Sequence, residues 1–244
     1  MIDRPAAPGG LSILLPAYNL EAVIASSIER VAGLAGALGE IEIVVCDDGS
    51  EDGTLAEAKA AAERTGHAQV IHHEHNRGKG AALTTAFEAS TMPTVAFLDA
   101  DLDLPPEQLP DLLDQFRDSG ADVLVGLKQA AMEPGHYPGY RRVLSKAFSG
   151  AIRVLFRLPV EETQTGLKLF TREALESVLP KLSVERYAFD LELVVALRRA
   201  GFDIIGAPVV LAEGASSRGV SARTLWEMGR DTVRVWLRAL AGRI

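Results

Sequence analysis

The chain predicts an α/β fold: three layers, with a mostly parallel mixed sheet between helices. Three observations carry that reading. From Leu11 to Ser90, strand-like and helix-like runs alternate in the βαβ rhythm. The strand-like runs are near-continuous in Ile, Leu and Val, so both of their faces must be covered, as in a parallel sheet between helices. A length of 244 residues with 48% hydrophobic content suits one large domain, which at this size buries about 70–75% of the surface of its unfolded chain.

Taken in order, a Pro- and Gly-bearing stretch at 1–10 reads as a flexible N-terminus. Strand Leu11–Leu15 leads to helix Glu21–Ala37, strand Ile41–Cys46 to helix Glu51–Arg64, and strand Ala68–His72 to helix Lys79–Ser90. Val95–Leu98 and Val123–Val125 continue the sheet. After Gly126 the rhythm breaks into a loop with Pro134, Gly135, Pro138 and Gly139, long enough for a lid or an acceptor loop. The remainder reads as helix Tyr140–Phe156, strand Leu167–Phe170, helix Phe189–Ala200, strand Phe202–Leu211 and helix Ala222–Leu240. The main domain is expected over 11–220, with 221–244 as an amphipathic helix belonging to the same domain or to a membrane contact.

Net charge limits the partners. A formal charge of −8 opposes general nucleic-acid binding, which needs a basic face. The lone cysteine, Cys46, sits in an apolar strand and reads as a buried thiol in a reducing compartment. The first residues lack an apolar signal core, and no window of eighteen apolar residues is free of charge. A cytoplasmic location is the expectation.

Four strand ends carry polar motifs. The fourth strand stops at Asp99-Ala100-Asp101. Both acids are then aimed at the carboxyl edge of the sheet, where a hard cation with oxygen ligands holds a diphosphate; an N-cap and first-turn pair before Pro105 and Pro106 is the plainer alternative. The first strand stops at Pro16-Ala17-Tyr18-Asn19-Leu20-Glu21, where a dinucleotide fold would need its Gly-rich turn. After the second stand Asp47 and Asp48, followed by Gly49-Ser50, either as a turn and cap or as acceptors for a base N–H and a ribose hydroxyl. The third leads to Asn76-Arg77-Gly78-Lys79-Gly80, a small-residue helix start that suits a phosphate or is a plain turn. His72, His73 and His75 do not form a metal site, since neighbouring strand residues point to opposite faces and a fourth ligand is missing.

Placed together on one sheet edge, PAYNLE, VVCDDGSEDGT, NRGKGAA and FLDADLD resemble the family 2 glycosyltransferases of the Rossmann-like GT-A fold, in order and spacing. Glu162-Thr163-Gln164-Thr165-Gly166-Leu167-Lys168-Leu169-Phe170 is similar to the D-T-Q-C-G-F-K-L-F segment of dolichyl-phosphate glucosyltransferases and their mannosyl relatives, with Glu162 and Thr165 among its departures. The resemblance implies inverting, metal-dependent transfer of a hexose from a nucleoside diphosphate sugar, of the UDP-glucose or GDP-mannose type, to a polyprenyl phosphate. It implies that Asp48 contacts the base with Asp47 nearby, and that Asp99 and Asp101 hold Mg²⁺ or Mn²⁺. It also implies that Pro16, Tyr18, Glu21, Gly78, Lys79, Ala100 and Gln164 line the donor site. Lys128, Arg142 and Arg218 are carried over as cations for the phosphates. Asp101 and Asp190 complete the catalytic set, Asp190 being the base if the acceptor is a hydroxyl.

Two rival functions remain at this point: a soluble enzyme of the same family acting on a sugar or small-molecule hydroxyl, and a nucleotide-sugar-binding protein without catalysis. Basic and apolar residues interleave between Gly139 and Pro159. Residues 215–244 hold six arginines against Glu227 and Asp231. In the last helix Arg230, Arg234 and Arg238 run beside Trp226, Val233, Leu237 and Leu240, the pattern of a helix lying on an anionic membrane surface. The expected location is therefore peripheral, on the inner face of the membrane, alone, as a homodimer or with a separate membrane protein.

Overall fold

The structure is a computed structural model and describes residues 9–128, 156, 158–160, 162–184, 188–212, 222–242 and 244; the side chains of 222–228 lie outside that description. Among the described residues, seven strands form one sheet in the order β3-β2-β1-β4-β6-β5-β7. They are β1 (Leu11–Ala17), β2 (Ile41–Asp47), β3 (Ala68–His72), β4 (Thr94–Leu98), β5 (Val123–Lys128), β6 (Leu167–Thr171) and β7 (Ile204–Val209). β6 runs antiparallel to both of its neighbours, β4 and β5, and every other pairing is parallel.

The continuous apolar runs divide between two cores because successive strand side chains point to opposite faces. Ile13, Leu15, Ile43 and Val45 enter one core with helices α1 (Ile24–Ala32), α3 (Thr54–Thr65) and α5 (Leu109–Ser119). Leu14, Val44, Cys46 and Phe97 enter the other, with α4 (Lys79–Glu88), α6 (Arg172–Val178), α7 (Phe189–Ala200) and α8 (Ala222–Leu240). Helix α1 buries Ile24, Ile28 and Val31 on one stripe, and each such side chain contributes about 1.5–3 kcal/mol of burial.

Several sequence expectations are corrected. Helix Glu21–Ala37 is two elements, α1 and the short α2 (Ala35–Leu38), separated at Gly33 and Leu34. The seventh strand is shorter than Phe202–Leu211. Two helices were not anticipated: α5, which opens with Pro110 in its first turn and buries Leu109, Leu112, Leu113 and Phe116, and α6, whose N-cap Thr171 accepts from the Ala174 amide. The expected helix at 140–156 lies outside the described residues apart from Phe156. Helix α8 matches its expected bounds, burying Val235 and Ala239 in the second core.

Candidate active site

Strands β1, β2, β3 and β4 are mutually parallel, so their carboxyl ends meet at one edge. The loop after β1 is stitched to the loop after β2. Ser50 Oγ accepts from the Asn19 amide at 2.9 Å, Thr54 Oγ1 from the Leu20 amide at 2.7 Å and Asp52 from the Glu21 amide at 3.2 Å. Pro16 is half-buried in β1, while Tyr18 is 42% exposed and Glu21 is exposed at the rim.

The two acids at the end of β2 are buried. Asp47 is fully buried, accepts from Ser50 Oγ, and lies 2.8 Å from His72 Nδ1. Asp48 is 3% exposed. Its Oδ1 accepts from the Arg77 amide at 3.0 Å and lies 2.7 Å from His73 Nδ1, and its Oδ2 accepts from the Gly78 amide at 2.7 Å. An ionised carboxylate only accepts, so Nδ1 of His73 carries the proton. Its Nε2 lies 2.9 Å from Thr85 Oγ1 on α4. Asp48 therefore holds the turn that aims α4. Gly78 caps α4 with φ 107°, a conformation that L side chains rarely adopt.

Lys79, the first residue of α4, reaches back over the sheet edge. Its Nζ lies 2.5 Å from Asp99 Oδ1 and 3.7 Å from Asp190 Oδ2. Burial works against its ammonium, but Asp190 and Asp99 outweigh burial and raise its pKa. Asp190 in turn sits 2.6 Å from Nζ of Lys168, which is 1% exposed and also donates to the Thr165 carbonyl. Burial pushes the Asp190 carboxyl up, yet the Lys168 and Lys79 ammonium groups hold it below its usual range. Lys168 is itself lowered, first by burial and also by Lys79. The direction for Asp190 favours its charged form and that for Lys168 works against its ammonium, so the pairing rests on the 2.6 Å contact itself.

After β4, Asp99 donates its amide to the Gly166 carbonyl at 3.0 Å, and its carboxylate packs directly on Gly166. Ala100 is buried, with its carbonyl accepting from Ser27 Oγ at 2.6 Å. Asp101 Oδ1 accepts from the Asp103 amide at 3.1 Å, across Leu102, which sits at φ 64°. Burial pushes the Asp101 carboxyl above its ordinary value, and the charges of Asp99 and Asp103 add to this. Among the described residues no three His, Cys, Asp or Glu side chains form a metal cluster. Two carboxylates at an open edge nevertheless fit a hard divalent ion that completes its oxygen shell from diphosphate and water.

Of the expected residues, Lys79, Asp99 and Asp190 are joined by charge, and Asp101 follows two residues after Asp99. Gln164 is exposed, two residues before Gly166. Lys128 pairs with Glu162: its Nζ lies 3.5 Å from Glu162 Oε1, and its amide donates to Glu162 Oε2 at 3.2 Å. Arg142 and Arg218 lie outside the described residues. Sequence reasoning did not single out Gly166, Lys168 or His73 for roles at the site. The signal for Lys168 was a cation inside the apolar strand Leu167–Phe170, which requires a buried counter-charge.

Residues 12–179 match the family described as "Glycosyl transferase family 2". The chain belongs to that family. A further similarity is to Glycosyltransferase AglD of Haloferax volcanii, 29% identical over 96% of this chain; the chain spans only 38% of that protein's length. The dolichyl-phosphate beta-glucosyltransferase of Drosophila melanogaster is 28% identical, with 95% of this chain and 76% of that one covered. The polyprenol monophosphomannose synthase of Mycolicibacterium smegmatis is 30% identical, covering 82% of this chain and 77% of that one. Among solved structures, glucosyl-3-phosphoglycerate synthase from Mycobacterium tuberculosis, in complex with Mn²⁺, UDP and phosphoglyceric acid, superposes with a TM-score of 0.72. It is 23% identical, with 96% of this chain and 78% of that one covered. The fold of this family 2 chain is thus the expected GT-A fold.

Proposed function

We propose that this chain transfers a hexose, with inversion, from a nucleoside diphosphate sugar to a polyprenyl phosphate. The observation that carries the choice of acceptor is the state of Asp190. With Lys168 at 2.6 Å and Lys79 at 3.7 Å holding its pKa down, it is a poor base for a hydroxyl. A phosphate monoester is already ionised at neutral pH and attacks without one. The names of the dolichyl-phosphate and polyprenol relatives support the same acceptor class.

Asp99 and Asp101 are the residues that would hold Mg²⁺ or Mn²⁺, which when bound supplies positive charge to the departing diphosphate. Lys79, at the head of α4, adds a cation and the helix N-terminus on the same side. Tyr18, Glu21 and Gln164 form the exposed rim around the donor. Asp48 and His73 keep the Arg77–Gly78 turn in place. Asp190 and Lys168 fix the Lys79 position.

Helix α8 supports attachment to an anionic membrane surface. Val233 and Leu237 are each 54% exposed and Leu240 66%, while Val235 and Ala239 face the core. Arg230 and Arg234 accompany the outer stripe. Arg238, expected among them, turns inward instead, with Nε 3.1 Å from Glu192 Oε1 and Nη2 donating to the Lys181 carbonyl at 2.7 Å. Among the described residues no helix is long and apolar enough to cross a membrane.

The test is incubation of the pure protein with Mn²⁺, a short polyprenyl phosphate and, separately, UDP-glucose, UDP-galactose and GDP-mannose, followed by mass detection of a lipid-linked hexose. Asp101→Asn is expected to abolish the product. The raised Asp101 pKa means that its charge opposes folding, so the melting temperature should hold or rise. Transfer to simple hydroxyl acceptors with none to lipid phosphate overturns the acceptor assignment. Full activity of Asp101→Asn, or of the unaltered protein in excess chelator, overturns the metal role.

A further inference from the structure

We propose that the Lys79 ammonium is the resident counter-ion of the acids after β4, holding Asp99 when no divalent ion is bound and passing to Asp190 when one binds. This rests on the metal role given above to Asp99 and Asp101. A lysine at the first position of a helix stands at the end of the macrodipole that disfavours a cation, so acids and not the helix set where its side chain lies. Its Nζ contacts Asp99 Oδ1 at 2.5 Å. A divalent ion would bind that carboxylate at about 2.0–2.6 Å. Two cations on one carboxylate repel, so each weakens the hold of the other.

Asp99 rests on Gly166 in space that a Cβ there would fill. The ammonium has a place to go: Asp190 Oδ2 already lies 3.7 Å away, while Oδ1 is taken by Lys168 at 2.6 Å. A displacement of about 1 Å converts that long contact into a charge-assisted hydrogen bond. The lysine stem is one-third exposed and swings without disturbing α4. Lys168 and Asp190 are thereby positioning residues, forming a buried pair that keeps one carboxylate oxygen in reserve for the displaced ammonium.

The experiment is a titration of the donor-free protein with Mn²⁺, following free ion by electron paramagnetic resonance. Lys79→Met is expected to bind Mn²⁺ about tenfold more tightly than wild type, because the competing cation is gone. Lys79→Arg keeps the charge and should stay near wild type, and Lys79→Gln replaces the Met variant if melting curves show that variant unfolded. An unchanged or weaker affinity in the charge-removing variant, with Asp99→Asn losing the ion, overturns the exchange and leaves the metal role intact. Wild-type Mn²⁺ affinity in Asp99→Asn overturns the metal role and this inference with it.

Discussion

Replacing Gly166 with alanine is the sharpest steric probe of the site. The added Cβ would stand 2.0 Å from Asp99 Oδ2, 2.3 Å from its Cγ and 2.9 Å from its Cβ. Ordinary contact begins at 3.4 Å, so the carboxylate must retreat by about 1.4 Å. The backbone offers little relief, since the Asp99 amide is bonded to the Gly166 carbonyl at 3.0 Å and Leu98 pairs with Leu167 just behind. Misplacing a reacting or ligating group by about 1 Å costs on the order of 100-fold, so kcat/KM should fall by about 100-fold, equivalent to roughly 2.7 kcal/mol. Asp99 is one-third exposed and has solvent to move into, so stability should fall by no more than about 1 kcal/mol. The assays are initial-rate transfer at varied donor, Mn²⁺ titration, and urea unfolding. Wild-type turnover together with wild-type Mn²⁺ affinity in a folded Gly166→Ala protein would refute the placement of Asp99 at the reacting end of the donor.

Three further outcomes follow from the same geometry. Asp48→Ala strands the Arg77 and Gly78 amides and the His73 ring N–H, and should cost about 3 kcal/mol in urea unfolding; a loss under about 0.5 kcal/mol would show the turn to be held otherwise. The Cys46 thiol is pushed up to about 12 by burial, with Asp48 and Asp47 adding to it. Native protein at pH 8 should therefore leave a disulfide reagent unreacted until denaturant exposes the thiol, and rapid native labelling would contradict that burial. Burial pushes the Glu42 carboxyl up, but bonds from Ser12, Thr91 and Met92 prevail and hold it below its usual 4.5. Its contribution is present above that value and lost as pH falls through the lower folded one. Glu42→Gln should cost roughly 1 kcal/mol at pH 7 and flatten the acid limb of the melting profile; an unaltered limb would assign acid sensitivity to other groups.

The parallel half of the sheet was legible because Ile13, Val44 and their neighbours had to be covered on both faces, and only a sheet between helices does that. The position of Asp99 and Asp101 followed from the strand before them. The histidine contacts of Asp47 and Asp48 did not, since His72 at the end of β3 and His73 just after it are brought level by the β2–β3 register. Periodicity in the sequence has no access to such cross-strand pairs. Helix α5 was missed although its apolar spacing was present, and α6 was missed because seven residues give too few turns for a pattern. The tie between Asp190 and Lys168 joins a helix start to a strand and is fixed only by the tertiary fold.

The place of β6 in the sheet has a consequence for how the molecule is made. Until Leu167–Thr171 has been synthesised, β4 presents an open hydrogen-bonding edge, because its final neighbour arrives from far along the chain and in the opposite direction. Loop closure over that span is slow, and a nascent chain waiting there is exposed to wrong partners. The same late insertion delivers Gly166 under Asp99 and Lys168 to its buried acid, so catalytic competence should emerge as one of the last events of folding rather than with the early βαβ units.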